Sequence, residues 1–230
     1  MSRRDAHSWR LTEWLPSATT DGRWREPQAA LHQLRRTLAN AAIDLRYGSL
    51  LAIDRRRETG LFCVSNSDYR VLAQIFLARI APDDVLVDVG CGAGRVINYW
   101  LHLHPGQRIV GIEADPEIAR AVARRLQRHT NAEIRTGDGP ALLPSDGTLF
   151  YLFNPFGRDT MQRLSERVAE IAASSSRPVR ILYYNCKHVD VFDADARWEV
   201  EVVRLPAPHH APLQPLAVIT PTSDRAERRG

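Results

Sequence analysis

The sequence contains few cysteines and no long hydrophobic run. Cys63, Cys91 and Cys186 are spread over 230 residues and form no Cys-x-x-Cys pair. We therefore expect a reducing compartment and no disulfide framework. The adjacent His209 and His210 lack a third ligand at regular spacing, so we expect no metal site. No stretch reaches the roughly 18 apolar residues of a membrane span. These absences favour a cytoplasmic protein with no membrane partner.

Internal repeats, low-complexity tracts and a concentrated patch of charge are also absent from the sequence. The formal net charge is +4, and its arginines are scattered along predicted helices and at both ends. Scattered charge is only a weak indication of an acidic partner, because nucleic-acid binders concentrate it. With 44% hydrophobic residues, the chain is long enough for one α/β core with an appended segment.

The stretch from Val85 to Val96 has the pattern of a strand, a glycine loop and the start of a helix. Its first five residues are nearly all β-branched and apolar, which is typical of a strand buried on both faces of a parallel sheet. Asp88 interrupts this run. Because a buried carboxylate needs a partner, we expect Asp88 to face a ligand at the strand's carboxyl end. Gly90, Gly92 and Gly94 let the backbone turn tightly beside that ligand.

The spacing of these glycines distinguishes two kinds of nucleotide-binding loop. A dinucleotide-binding loop has the pattern Gly-x-Gly-x-x-Gly, whereas this loop has Gly-x-Gly-x-Gly with an acid two residues before it. The segment Asp88-Val89-Gly90-Cys91-Gly92-Ala93-Gly94 resembles the first motif of the class I S-adenosylmethionine-dependent methyltransferases. In that family the loop passes under the methionine part of the cofactor, and the acid orients its ammonium group.

Two later segments resemble the family's next motifs. The run Arg108–Ala114 predicts a buried strand that ends near Glu113, whose carboxylate can accept hydrogen bonds from both ribose hydroxyls of an adenosine. The run Ala132–Arg135 predicts a third strand, followed by Asp138 where the family places an acid beside the adenine amino group. A helix over Tyr69–Ile80 precedes the first strand. The resemblance thus implies S-adenosyl-L-methionine as the cofactor and a site formed by Asp88, Gly90, Cys91, Gly92, Gly94, Glu113, Ala114, Asp138, Gly139, Asn154 and Tyr69.

A fourth predicted strand, Thr148–Phe153, runs into Asn154-Pro155-Phe156-Gly157. This resembles the [Asn/Asp]-Pro-Pro-[Tyr/Phe] motif of amino-group methyltransferases, but the second proline is missing, so the target atom stays open. Asn-Pro is also a common turn signal. A fifth strand, Val179–Asn185, brings further polar residues to the same edge. The resemblance implies Asn154 as a catalytic residue and Pro155 and Phe156 as substrate contacts. The position of the fifth strand's end adds Tyr184 as a catalytic candidate and His188 as a substrate contact.

These elements predict a doubly wound, Rossmann-like, mostly parallel seven-stranded sheet with an N-terminal helical extension. We expect a helical cap over residues 1–60, the S-adenosylmethionine-binding methyltransferase domain over 61–222 and a disordered basic tail over 223–230. Trp14, Trp24 and Tyr47 are candidates for lining a substrate pocket under the cap. Within the cap, helical spacing places four apolar residues on one face: Leu31, Leu34, Leu38 and Ala42.

The motifs predict a methyltransferase that acts on a nitrogen or oxygen nucleophile of a small molecule or metabolite. A sulfonium methyl group is already activated, so catalysis needs mainly an oriented nucleophile. We expect a small substrate because we find no second recognition domain in the sequence. Three alternatives stay open: a protein or nucleic-acid methyltransferase, a cyclase or lyase of the same fold that releases methylthioadenosine, and a non-catalytic cofactor-binding protein.

Overall fold

The computed structural model describes residues 26–51, 67–205 and 214–222. Predictions for the first 25 residues, the linker around residues 54–60, the His209-His210 pair and the basic tail lie outside the described residues. Trp14, Trp24 and Cys63 also fall outside them. Within the described part of the chain, no helix is long and apolar enough to cross a membrane.

A seven-stranded sheet forms the centre of the molecule, in the order β3-β2-β1-β4-β5-β7-β6. Only β7 runs antiparallel to its neighbours, which confirms the predicted doubly wound, mostly parallel sheet. The strands are β1 Leu86–Val89, β2 Ile109–Glu113, β3 Ala132–Thr136, β4 Leu149–Phe153, β5 Arg180–Tyr184, β6 Trp198–Arg204 and β7 Pro215–Pro221. The helices are α1 Glu26–Arg46, α2 Tyr69–Phe76, α3 Arg95–Leu103, α4 Pro116–Leu126, α5 Arg158–Ser174 and α6 Asp190–Asp193, with a 3-10 turn at Pro140–Leu142.

The direction of the chain reverses beside β1. From β1 the chain passes outward to β2 and β3, and it then returns to form β4 on the other side of β1. Leu86 pairs with Ile109 of β2 and with Leu149 of β4. In such sheets the loops that follow the two central strands separate and leave a crevice for a ligand. The fold therefore places the glycine loop after β1 and the Asn-Pro-Phe loop after β4 at one edge.

Helices cover both faces of the sheet because each strand alternates apolar side chains between two cores. One core joins α2, α3, α4 and the residues just after α1 to the sheet. The other core joins α5 and α6 to the opposite face. Helix α4 shows how the sequence starts such a helix: the Asp115 carboxylate accepts hydrogen bonds from the N–H groups of Glu117 and Ile118, and Pro116 occupies the first turn.

Two helices differ from the sequence-based prediction. Helix α2 ends at Phe76 rather than Ile80, because Ala78 takes a left-handed conformation with φ of 55°. In α1, the predicted apolar residues do share a face, but Leu34 and Leu38 are 55% and 60% exposed. The face of α1 that packs on the domain carries polar residues instead, among them the buried Asn40 and Asp44. The helical spacing therefore predicted the apolar stripe of α1 but not whether that stripe faces the domain or the solvent.

Gly111 in the middle of β2 permits close packing of helix α3 on the sheet. A β-carbon at this position would lie 2.5 Å from Ile97 Cδ1 and 3.1 Å from Cys91 Sγ. Both neighbours belong to the segment that carries the glycine loop and α3. The glycine therefore sets the distance between the central sheet and the helix that begins at the loop.

Replacing Gly111 by alanine tests this packing. We expect Gly111→Ala to lower the free energy of unfolding by about 1–3 kcal/mol, because Ile97 must shift to admit the methyl group. Gly106→Ala is the matched control, since a β-carbon there meets nothing within 4 Å. Denaturant unfolding of both variants measures the effect. Equal stabilities of the two variants would contradict the packing described for β2.

Candidate functional site

The loop between β1 and α3 has a backbone that glycine alone adopts easily. Gly90, Gly92 and Gly94 have φ angles of 80°, 51° and 80°, in the left-handed region where a side chain would be strained. The N–H groups of Gly90 and Cys91 both donate to the carbonyl oxygen of Ile112 on β2, at 2.8 and 2.9 Å. The loop is thus folded tightly around the end of β1, as the glycine spacing predicts.

Asp88 lies beneath this loop with its side chain buried. Its Oδ2 atom has no hydrogen-bond partner among the described residues. Burial, and next the nearby Glu113 carboxylate, raise the pKa of Asp88 well above its ordinary value. A buried carboxylate in this state is unfavourable to ionise unless a cation or a donor approaches it. The site therefore fits a positively charged group, such as the ammonium group implied by the resemblance.

Glu113 joins the first two loops of the carboxyl edge. Its Oε2 accepts a hydrogen bond from the Gly92 N–H at 2.8 Å, and its Oε1 accepts one from the Asp115 N–H at 2.9 Å. Each carboxylate oxygen has a further lone pair, so the group can still accept hydrogen bonds from a diol. Ala114 follows it and is exposed at the same edge.

Cys91 contributes a buried thiol to the loop. Burial, followed by the charges of Asp88 and Glu113, raises its pKa well above the ordinary value. The thiol therefore stays protonated, and Cys91 does not have the thiolate character of a nucleophile. Its place in the site is that of a small packed side chain.

The third loop carries Asp138 and Gly139. The exposed Asp138 carboxylate forms two hydrogen bonds with Arg163, at 2.8 and 3.0 Å, and this pairing lowers the pKa of Asp138. Gly139 is buried, and a β-carbon on it would lie 2.5 Å from the Phe156 ring. The third loop therefore packs directly against the Asn-Pro-Phe loop.

The Asn-Pro-Phe loop also contacts the glycine loop. A β-carbon on Gly90 would lie 2.7 Å from Pro155 Cβ, so the two backbones approach closely. Asn154, at the end of β4, has a φ of 46°. Left-handed residues other than glycine are uncommon and concentrate at functional sites. Pro155 and Phe156 thus bring Asn154 to the point where the three loops meet.

Tyr183 fixes the side chain of Asn154, a role that the sequence did not reveal. The Tyr183 hydroxyl donates to Asn154 Oδ1 at 3.1 Å and accepts from the His188 backbone N–H at 3.3 Å. Tyr183 is fully buried, and burial raises its pKa to about 12. The strand Val179–Tyr184 is almost uniformly apolar, so no alternation distinguishes Tyr183 from Tyr184. Only the fold shows which tyrosine faces Asn154.

The other predicted site residues lie at different distances from this edge. Tyr184 ends β5, with its ring 5.1 Å from that of Phe153, and His188 follows in the next turn. Tyr69 is set back in the core, where its hydroxyl donates to Asp44 at 2.8 Å and accepts from Asn98 at 3.3 Å. Their catalytic and binding roles stay predictions.

Comparison with known proteins agrees with this architecture. The family model of the precorrin methyltransferase domain matches residues 65–146. Ribosomal RNA small subunit methyltransferase A of Thermotoga maritima is 33% identical over 73 residues, which are 31% of this chain and 25% of that protein. The chain thus spans about a quarter of the length of the curated relatives it matches.

Solved structures with the same fold cover more of the chain. An RNA methyltransferase from Salinibacter ruber, in complex with S-adenosyl-L-homocysteine, has a TM-score of 0.52 and 22% identity over 69% of this chain and 95% of its own. Precorrin-6y C5,15-methyltransferase from Geobacter metallireducens has a TM-score of 0.53 and 17% identity over 79% of this chain and 97% of its own. These similarities confirm the predicted resemblance to class I S-adenosylmethionine-dependent methyltransferases.

The pH dependence of stability tests the burial of Asp88. The raised pKa means that the folded protein binds more protons than the unfolded chain between the ordinary Asp value and the folded one. The contribution of Asp88 to the free energy of unfolding should therefore fall as the pH rises through this window. We expect Asp88→Asn to be more stable than the wild type at neutral pH, and the difference to vanish below about pH 4.

Asp138→Asn is the control with the opposite sign. Its carboxylate has a lowered pKa in the folded protein, so its contribution to stability is present at neutral pH and is lost in acid. This variant should be slightly less stable than the wild type at neutral pH, since the ion pair is exposed. Denaturant unfolding between pH 3 and pH 8 measures the free energy of unfolding of each variant. If this free energy varied with pH in the same way in the wild type and in Asp88→Asn, the raised pKa of Asp88 would be contradicted.

Proposed function

We propose that this chain is an S-adenosylmethionine-dependent methyltransferase, the class that its fold and motifs resemble. We further propose that the nucleophilic group of its substrate binds beside Asn154. The proposal rests on the Oδ2 atom of the buried Asp88, which has no partner within the part of the chain that the structure describes and lies directly under a left-handed glycine loop. A cationic ligand that also offers groups to the loop N–H donors would relieve the cost of this carboxylate.

Four groups of this chain would hold the cofactor. Asp88 would face the ammonium group, and the backbone of the glycine loop would lie along the methionine part. Glu113 would accept from the ribose hydroxyls, and Asp138 would accept from the adenine amino group. Asp138 already pairs with Arg163 through both carboxylate oxygens, so binding of adenine would use their remaining lone pairs.

The bound cofactor supplies an activated methyl group, and the chain's residues orient the nucleophile. One lone pair of Asn154 Oδ1 accepts from Tyr183, which leaves the other for an N–H or O–H of the substrate. The pKa of Tyr184 is raised by burial, so its hydroxyl stays protonated and acts as a hydrogen-bond donor. His188, in the turn after β5, would be a further polar contact for the substrate.

A small molecule is the substrate that the matched family favours. Its model describes a precorrin methyltransferase domain and spans the first three motifs of this chain, within residues 65–146. The Asn-Pro-Phe-Gly sequence lies outside that match. The family comparison therefore does not identify the methylated atom as nitrogen or oxygen, and analysis of the product would.

RNA is the second candidate substrate, and a different observation favours it. The curated relatives that match over 73 residues are ribosomal RNA methyltransferases, and the chain carries a net charge of +4. Binding through phosphates would make methylation fall steeply with salt. Methylation of a small molecule would show much weaker salt dependence.

Transfer of a labelled methyl group tests the proposal. The wild-type protein is incubated with methyl-labelled S-adenosylmethionine and either a small-metabolite extract or total RNA, at low and high salt. We expect label in a small-molecule product together with S-adenosylhomocysteine. Label in RNA would support the second candidate, and methylthioadenosine would indicate the cyclase or lyase. Release of neither product would contradict an enzymatic role.

Substitution of Asn154 tests its place at the reacting centre. We expect Asn154→Ala to lower the transfer rate about 100-fold at saturating cofactor, because misplacement of a nucleophile is costly. Asn131→Ala is the control, since the Asn131 amide bonds to the carbonyls of Pro105 and Gln107 away from these loops. Equal rates in the two variants would remove Asn154 from the mechanism.

A further inference from the structure

The side chain of Arg95 connects the glycine loop to helix α1. Arg95 is the first residue of α3 and directly follows Gly94. Its Nη2 lies 2.5 Å from Asp44 Oδ2, and its Nε donates to Asp44 Oδ1 at 3.3 Å. The two side chains are only 3% and 2% exposed. A buried ion pair therefore joins the loop to a helix that lies 51 residues earlier in the chain.

The remaining hydrogen-bonding capacity of this pair is also used. Asp44 accepts from the Tyr69 hydroxyl at 2.8 Å and from the Leu51 N–H at 3.3 Å. Arg95 Nη2 donates to the Leu51 carbonyl at 2.6 Å. The pair is thus hydrogen-bonded by Leu51, which follows α1, and by Tyr69 of α2.

Arg125 of α4 makes a second connection between α1 and the loop. Its Nη2 donates to the carbonyl of Ala93, inside the glycine loop, at 2.8 Å. Its Nη1 donates to the carbonyl of Tyr47, just after α1, at 3.0 Å and to Asn98 Oδ1 at 2.7 Å. Arg125 is half-buried, whereas Arg120, Arg124 and Arg128 nearby are exposed.

Stability alone is a poor explanation for these contacts. Moving two charges out of water is costly, and a buried ion pair can often be replaced by apolar residues without loss of stability. Helix α1 has leucines for such packing, but they lie on its exposed face. A buried ion pair with defined partners instead favours one geometry over others. Here it favours one conformation of the end of the glycine loop, at Ala93, Gly94 and Arg95.

We infer that α1 is part of the cofactor-binding unit and that Asp44 is a positioning residue, acting through Arg95 to hold the glycine loop in its binding conformation. This inference rests on the proposed function, because the loop's ligand is taken to be S-adenosylmethionine. It gives α1 a role beyond covering the site: cofactor affinity depends on the docking of this helix. By linkage, cofactor binding must in turn stabilise that docking.

A neutral double variant separates positioning from folding. Asp44→Asn combined with Arg95→Gln removes both charges, so neither is left buried without its partner. The control is Asp84→Asn combined with Arg180→Gln. It removes a second ion pair, in which Asp84 is buried and Arg180 is partly exposed. This pair lies beside the amino end of β1, where Asp84 also accepts from Thr148 Oγ1. Both variants should unfold at lower temperature than the wild type.

Calorimetric titration with S-adenosylhomocysteine, well below both unfolding temperatures, gives the decisive comparison. We expect the Asp44/Arg95 variant to bind about tenfold more weakly than the wild type, or roughly 1.4 kcal/mol, and the Asp84/Arg180 variant to bind as the wild type does. Wild-type affinity in the Asp44/Arg95 variant, or equal weakening in both, would overturn the positioning role. Absence of binding by the wild type would overturn the proposed function as well.

Hydrogen exchange supplies a readout that a purely structural pair would not move. In the wild type, S-adenosylhomocysteine should slow amide exchange over residues 40–47, which are distant in sequence from the loop. In the Asp44/Arg95 variant, at saturating ligand, the slowing should be confined to the loop segments. Unchanged exchange over residues 40–47 of the saturated wild type would contradict coupling between α1 and the cofactor site.

Discussion

At the end of the central strand lies a buried carboxylate, Asp88, whose Oδ2 atom has no hydrogen-bond partner among the described residues, and the architecture keeps it there. Asp88 shares β1 with apolar residues that two cores bury from opposite sides, and it is itself only 2% exposed. Burial and the nearby Glu113 carboxylate raise the pKa of Asp88, so its ionised form is unfavourable. The molecule thus maintains an electrostatically unfavourable point at the carboxyl edge of its sheet, which a cation would relieve.

Three loops converge on this point and are packed tightly against each other. Pro155 lies against Gly90, and Phe156 lies against Gly139, so the Asn-Pro-Phe loop touches the loops after β1 and β3. Asn154 is held at the junction by its left-handed backbone and by the hydroxyl of Tyr183. A rigid site of this kind suits a reaction in which orientation of the nucleophile supplies most of the acceleration.

The parts of this site that depend on local sequence were predictable. A β-branched strand, a glycine loop with an acid before it and the next strand's terminal Glu113 are each encoded within a few residues, and their order specifies the sheet. The contacts of Asp44 with Arg95, and of Arg125 with Ala93, join residues 51 and 32 positions apart. Local pattern carries no signal for such pairs, nor for the choice of Tyr183 over Tyr184 on a strand without polar alternation after Arg180.

The direction of α1 shows the same limit of periodicity. The leucine spacing identified an amphipathic helix, but burial of the opposite face follows from Asn40 and Asp44, whose partners lie on α2 and α3. Polar residues therefore dock this helix, and its apolar stripe stays exposed in the described structure.

The proposed function depends above all on Asp88 receiving the ammonium group of S-adenosylmethionine. Calorimetric titration with S-adenosylhomocysteine at about pH 6, where an α-amino group is already protonated, tests this contact. The titration is repeated in two buffers of different protonation enthalpy, so that it also counts the protons released on binding. We expect the wild type to release protons, because the ligand's charge ionises Asp88, and Asp88→Asn to bind more weakly and to release none. Tight binding with no difference in proton release between the two proteins would contradict it.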